Sequence, residues 1–507
     1  MSLPAICFFT NGRLMRRRLT ILAGMFAMGV FNVLQAQEIG ADGARHLLNR
    51  VGFAASEAEI QSFAHLTREQ ATVRVLNGAT TVAKTPPPVW IDEVIIPPYK
   101  RREMSREARE AERRLNLERA FELREWWYRE MLSTTSPLTE KMTLFWHSHF
   151  ATSQQKVRYT PLMYRQNVTL RQNALGNFGK LLHEIARDPA MVVFLDSAQN
   201  RKEQPNENFA REVMELFTLG EGNYSEGDIK EVARAFTGWS IDRDTGQFMF
   251  RRGIHDFGPK TVLGRTGEFD GDAVLDIFLA HPQTAEFISR KLWKEFISPV
   301  PDDEELHRFA RIFRNSRYDI KTLMRAMLTS DVFYAVENRA ALIKSPVELV
   351  VGTLKQFEID APTLRPFVIA GALLGQNVLS PPNVKGWPGG ETWINSATLL
   401  GRKQLLDRLF RADDRLEAMV ARFDDRAERP EDRAGREARM QRRMDRAMGG
   451  VRVDLERWGR QFKVQDREQA VTRVVLAMAP HNPLTAKNGD VNELVKQLVA
   501  DPTYQLK

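Results

Sequence analysis

Apolar residues recur at a helical period along most of this chain, and helix-capping signals punctuate the recurrences. That pairing confines the fold to packed helices. Ile60 and Phe63 follow Ser56 and Glu59, which form an S-x-x-E capping box, and Thr67 stands as an N-cap before the next run. Phe209, Val213, Leu216 and Phe217 share one face between Asn206, a capping residue, and Gly220, a residue suited to the position just past a helix. Ile229, Val232, Ala233 and Phe236 repeat the pattern behind Ser225 and Asp228. Further helices are expected over 38–64, 66–76, 101–132, within 138–195, and over 271–279, 282–296, 304–313, 320–328, 345–357 and 362–374. Period-two alternation is local to 247–263, where Phe248 and Phe250 share a face. The expected fold is mainly α: a large multi-helix globular body, one small β-hairpin element and a charged helical arm.

The ends and one internal stretch depart from this body. Arg13, Arg16, Arg17 and Arg18 precede an apolar run over 19–34, and Ala36 is small enough for a cleavage point before Gln37. Residues 1–36 therefore read as a signal peptide, since the run is shorter than the roughly 20 residues of a bilayer span. A retained anchor is the alternative, Met15 is a second possible start, and the Sec and Tat routes both stay open. The main helical domain is expected over 37–410. Residues 411–450 mix Arg, Asp, Glu, Met and Ala and read as a charged polyampholyte insertion. Helices over 451–507 are expected to pack on the main domain. The expected location is periplasmic or extracellular, with no membrane span after signal removal.

Charge and cysteine content exclude several classes. The formal net charge is +8 over 507 residues; losing 1–36 removes four arginines and no acid and leaves +4 (8 − 4). So small an excess argues against a nucleic-acid partner. Cys7 is the only cysteine, so disulfide scaffolds, thiolate metal sites and cysteine nucleophiles are excluded from the body.

Candidate chemistry gathers between residues 138 and 260. His147 and His149 end the run Phe145-Trp146-His147-Ser148-His149-Phe150, and two residues apart on a helix they point about 200° from each other. Glu207, Arg211 and Glu215 stand four apart and can pair, while Glu212 borders the apolar stripe and needs a partner if drawn inward. Arg211, Glu212, Glu215, Glu231 and Arg234 are expected in one neighbourhood. His255-Asp256 falls in a turn after the expected strand. Histidine with carboxylate suits acid–base work or a divalent metal, so His149, Glu212 and His255 are candidate ligands, expected within one pocket. Structural hydrogen bonding is the competing reading of the same residues. Ser153 and Lys156 match S-x-x-K, without the companion triplets of penicillin-recognising enzymes. Trp387 and Trp393, around the loop 381–390, read as turn-locking packing or as a ligand-stacking platform.

Several blocks in order resemble the bacterial domain-of-unknown-function family 1800. They are His46–Phe53, Phe145–Ser153, Asn206–Gly220, Glu231–Trp239, His255-Asp256 with Lys260, Lys344–Glu348, Pro381–Gly390 and Tyr504–Lys507. The resemblance implies exported, mostly helical bacterial proteins without a settled activity, often encoded beside a sulfatase-like partner. Two functional expectations follow. One is a hydrolase whose site draws on His147, His149, Glu207, Arg211, Glu212, His255 and Asp256, with or without a divalent metal. The other is a non-catalytic binding or assembly protein acting with another exported protein.

Overall fold

The computed structural model describes residues 37–93, 98–242, 244–410, 451, 453–486 and 490–507. The signal-like segment 1–36 and the charged stretch 411–450 lie outside them. Within the described residues, 38–507 pack as one compact unit around a continuous apolar core.

The fold is mainly α, as the periodicity requires. Capping boxes start the helices Glu57–Ala64, Arg68–Asn77, Glu226–Ala235 and Pro346–Gln356 at Ser56, Thr67, Ser225 and Ser345. Each cap satisfies a backbone N–H that the first turn leaves without a partner. The long helix Arg106–Ser133 changes character along its length. Its first half is largely exposed and charged, whereas Leu123, Trp126, Trp127 and Met131 are buried. The helix Arg365–Leu373 lies so close to it that a Cβ at Gly371 would stand 2.2 Å from the Tyr128 hydroxyl. Only glycine admits that approach.

The β structure expected around 247–263 takes the form of two antiparallel hairpins among the described residues. Trp239–Ile241 pairs with Phe248–Phe250, and Lys260–Val262 with Arg265–Gly267. A second difference concerns 206–220, expected as one regular helix. An α-helix runs over Glu207–Glu212 and continues as a π-helix over Val213–Thr218. No helix among the described residues is long and apolar enough to cross a membrane.

Candidate functional site

The helix Pro137–His149 carries the Trp-His-Ser-His run at its C-terminal end, where three surrounding elements meet it. The first is the segment leading into the loop 381–390. Leu379 N–H donates to His147 Nε2 at 3.1 Å, and the His147 ring lies 5.6 Å from that of Trp127 and 5.5 Å from that of Trp387. Trp387 N–H donates to Ser148 Oγ at 3.2 Å. Gly386, at φ +81°, passes so close that a Cβ would meet the Ser148 carbonyl at 2.2 Å. Trp387 and Trp393 are both buried, so the loop locks onto the core.

The π-helix and the helix Pro282–Phe296 supply the other two. A helix ending at Gly220 leaves its last carbonyls without backbone donors. Lys291 Nζ donates to the Leu216 carbonyl at 3.2 Å, and His149 Nε2 donates to that of Phe217 at 3.2 Å. Lys291 Nζ also stands 3.0 Å from His149 Nδ1, which accepts. The ammonium fixes the tautomer: Nδ1 is bare and Nε2 carries the hydrogen. Burial, then the Lys291 charge, holds His149 well below the ordinary imidazole range. Burial also brings Lys291 down to about 8. His147 is pushed down to about 3 by burial and by Arg124. A cation at this end also answers the negative pole of the π-helix.

The remaining candidates divide into separate pairings. Arg211 reaches Glu226 through two bonds of 2.9 Å, with Glu207 at 3.5 Å. Glu215 accepts from Tyr224 Oη at 3.1 Å and pairs with Lys385 at 3.3 Å. Arg234 holds Asp256 at 2.8 Å and Glu231 at 2.9 Å. That guanidinium keeps the Asp256 carboxyl below its usual range. His255 Nδ1 donates to the Thr237 carbonyl at 2.7 Å, and its ring is packed between those of Phe250 and Phe257. Glu212 alone makes no hydrogen bond or ion pair among the described residues; half-burial and the nearby Glu215 raise its carboxyl. Lys156 turns to Asp196 at 2.7 Å while Ser153 caps the short helix Gln154–Val157, so the S-x-x-K spacing forms no serine–lysine pair.

His149, Glu212 and His255 share no partner, against the expectation of one pocket. No group of three or more His, Cys, Asp or Glu residues able to hold a metal occurs among the described residues. The physical reason is visible at each histidine. An ammonium occupies the Nδ1 side of His149 and repels a cation, while His255 turns its Nδ1 to backbone and its ring to two phenylalanines.

Two buried ionic centres escaped the sequence reading. Glu140 accepts from Arg171 Nε at 2.6 Å, from Arg171 Nη2 at 2.9 Å and from Trp127 Nε1 at 2.8 Å. Its neighbour Lys141 points elsewhere, to Glu348, which Lys507 also contacts; each lysine stands 3.5 Å from Glu295. The blocks Lys344–Glu348 and Tyr504–Lys507 thereby meet in one internal cluster. Isolated charged letters in apolar stretches are the signal that could have flagged these groups, although it does not say which pair.

Fold and site together define a mainly α protein whose recurrent polar residues tie one element to the next inside the body. Residues 46–506 match the model of a family described as a protein of unknown function, DUF1800, and the chain belongs to that family. No curated protein and no solved structure matches it.

Proposed function

We propose that this is an exported, non-catalytic binding or assembly protein that acts with another exported protein, a sulfatase-like one by the family resemblance. The observation that carries the reading is the closure of the candidate acid–base groups. His147, His149 and His255 are buried, and Asp256 is bound to Arg234. A general acid or base must reach a substrate proton, and these groups are turned to backbone, ammonium or guanidinium instead. Glu212 favours the hydrolase as the second reading, because its raised carboxyl has no partner among the described residues.

Turnover separates the two. The mature protein is assayed with p-nitrophenyl acetate, phosphate and sulfate, with and without Zn²⁺ or Mn²⁺. The binding reading expects no rate above buffer, together with a discrete cross-linked complex with an exported protein in intact cells. A rate that Glu212→Gln abolishes at unchanged Tm would overturn it in favour of the hydrolase.

A further inference from the structure

One face of the Arg106–Ser133 helix is spent on a cavity. Arg113, Asn116, Leu117, Ala120, Phe121 and Arg124 fall at alternating steps of three and one, which aligns them in a single stripe. Together they form one wall of a cavity of about 620 Å³. Val368, Ile369 and Ala372, from the helix Arg365–Leu373, form the facing apolar wall. Gln154, Gln155 and Arg158 contribute from one side, Asn377 and Ser380 from another, and Arg101 also lines the space. The volume lies in the ordinary range for a small organic ligand.

The charge on this lining is one-sided. Four arginines reach it and none of the lining residues is acidic. Arg101 is compensated by Glu112 at 2.7 Å. Arg113 and Arg158 are exposed and form no ion pair among the described residues. Arg124 is buried, yet all its partners are uncharged. Its Nε donates to Asn377 Oδ1 and the Val378 carbonyl, its Nη1 to the Ala120 carbonyl and its Nη2 to Ser380 Oγ. A buried charge without a counter-ion is costly, and an anion in the cavity would relieve it. A second observation points the same way. Gln154 is buried, lines the cavity, and leaves its side-chain oxygen without a hydrogen-bond donor. A buried acceptor left open is a place for a ligand's own donor.

We propose that this cavity binds an amphiphilic organic anion, with a carboxylate, sulfate or phosphate head on the Arg113–Arg124–Arg158 side and an apolar body against Phe121, Val368 and Ile369. The cavity is separate from the candidate acid–base residues, so its occupancy is independent of whether the chain turns over a substrate. Arginine suits the role because its fork of N–H donors matches such oxyanions.

The test uses the mature full chain and two fluorescent probes of the same ring system: 1-anilinonaphthalene-8-sulfonate and the uncharged N-phenyl-1-naphthylamine. The sulfonate should bind saturably at one site, at least tenfold more tightly than the neutral probe. Dodecanoate should displace it at a tenfold lower concentration than inorganic phosphate. Arg113→Glu and Arg158→Glu should each weaken sulfonate binding at least fivefold at unchanged Tm. Lys230→Glu, on the exposed side of the distant Glu226–Ala235 helix, makes the same charge change and should leave binding as it was. Equal binding of the two probes, or full sulfonate affinity in the Arg113→Glu/Arg158→Glu double variant, would overturn the anionic specificity while leaving the binding or assembly reading intact. Displacement by inorganic phosphate as effective as by dodecanoate would overturn the apolar half of the claim.

Discussion

Two buried arginines, both near the second half of the Arg106–Ser133 helix, are held in opposite ways. Arg171 forks onto the Glu140 carboxylate beside Trp127 and also reaches Asn167 Oδ1 at 2.7 Å. Arg124 is held by carbonyls, an amide and a hydroxyl, with no carboxylate. Arg50 resembles Arg124, donating to the carbonyls of Phe296, Ile297 and Asn338. Burial brings Arg124 down to about 10 and Arg50 to about 9. The difference teaches where charge is closed and where it is left open. The Arg171 centre is complete within the fold, whereas the Arg124 centre faces a cavity and lacks an anion.

The most severe way to break the comparison is Arg171→Met. It strands the Glu140 carboxylate in the core, and breaking a buried pair from one side costs about 3–5 kcal/mol. The Glu140→Leu/Arg171→Met double variant should recover most of that loss, since no charge is left unpaired. Urea unfolding of both variants checks this, and a double variant as unstable as the single would assign the role to packing.

Acid comes next, because each arginine lacking a carboxylate sits beside a depressed histidine. His46 is pushed to about 3 by burial first and then by Arg50; His147 reaches about 3 by burial and Arg124. His149 is also held low. A histidine with a lowered folded pKa binds its proton preferentially in the unfolded chain. Its stabilisation is therefore complete above about 6.5 and is lost as pH falls toward 3. Asp188 opposes this: burial raises it to about 7, so the folded state takes up its proton first and gains as pH falls from 7 toward 3.8. Three histidines against one aspartate should leave the protein about 2–4 kcal/mol less stable at pH 5 than at pH 7. Unfolding at the two pH values measures it, and unchanged stability would contradict it.

Arg124→Met is the mildest. It strands hydrogen-bond acceptors but no anion, so about 1–3 kcal/mol is expected, less than for Arg171. The same variant should raise the His147 pKa, read by NMR titration, while burial still keeps it below the ordinary value. A cost equal to that of Arg171→Met would erase the distinction between the two centres.

What was legible in the sequence follows from the range of the forces involved. Ser56, Thr67 and Ser225 cap helices through neighbours three residues away, so their letters suffice. The apolar half of the long helix is equally local in its signal. The π-helix is not, because Val213, Leu216 and Phe217 have the same spacing in an α-helix. Its register goes with Lys291 and His149, which approach from other parts of the chain. The polar candidates were found as residues but not as partners. Arg211 was expected to bridge Glu207 and Glu215, and it turns instead to Glu226 across a helix pair. Arg124 was hidden within a run of charges that otherwise faces solvent.

The π-helix also behaves as a vernier. Its wider turn stores about one residue more than an α-helix of the same rise would hold. Shortening the chain by one residue between Val213 and Thr218 would return the backbone to α register and swing everything after it by about 100°. The carbonyls of Leu216 and Phe217 would then turn away from Lys291 and His149, leaving an ammonium and an imidazole N–H in the core with nothing to donate to. A single inserted residue, easily mistaken for slack in an alignment, is therefore what brings three distant parts of the chain into register.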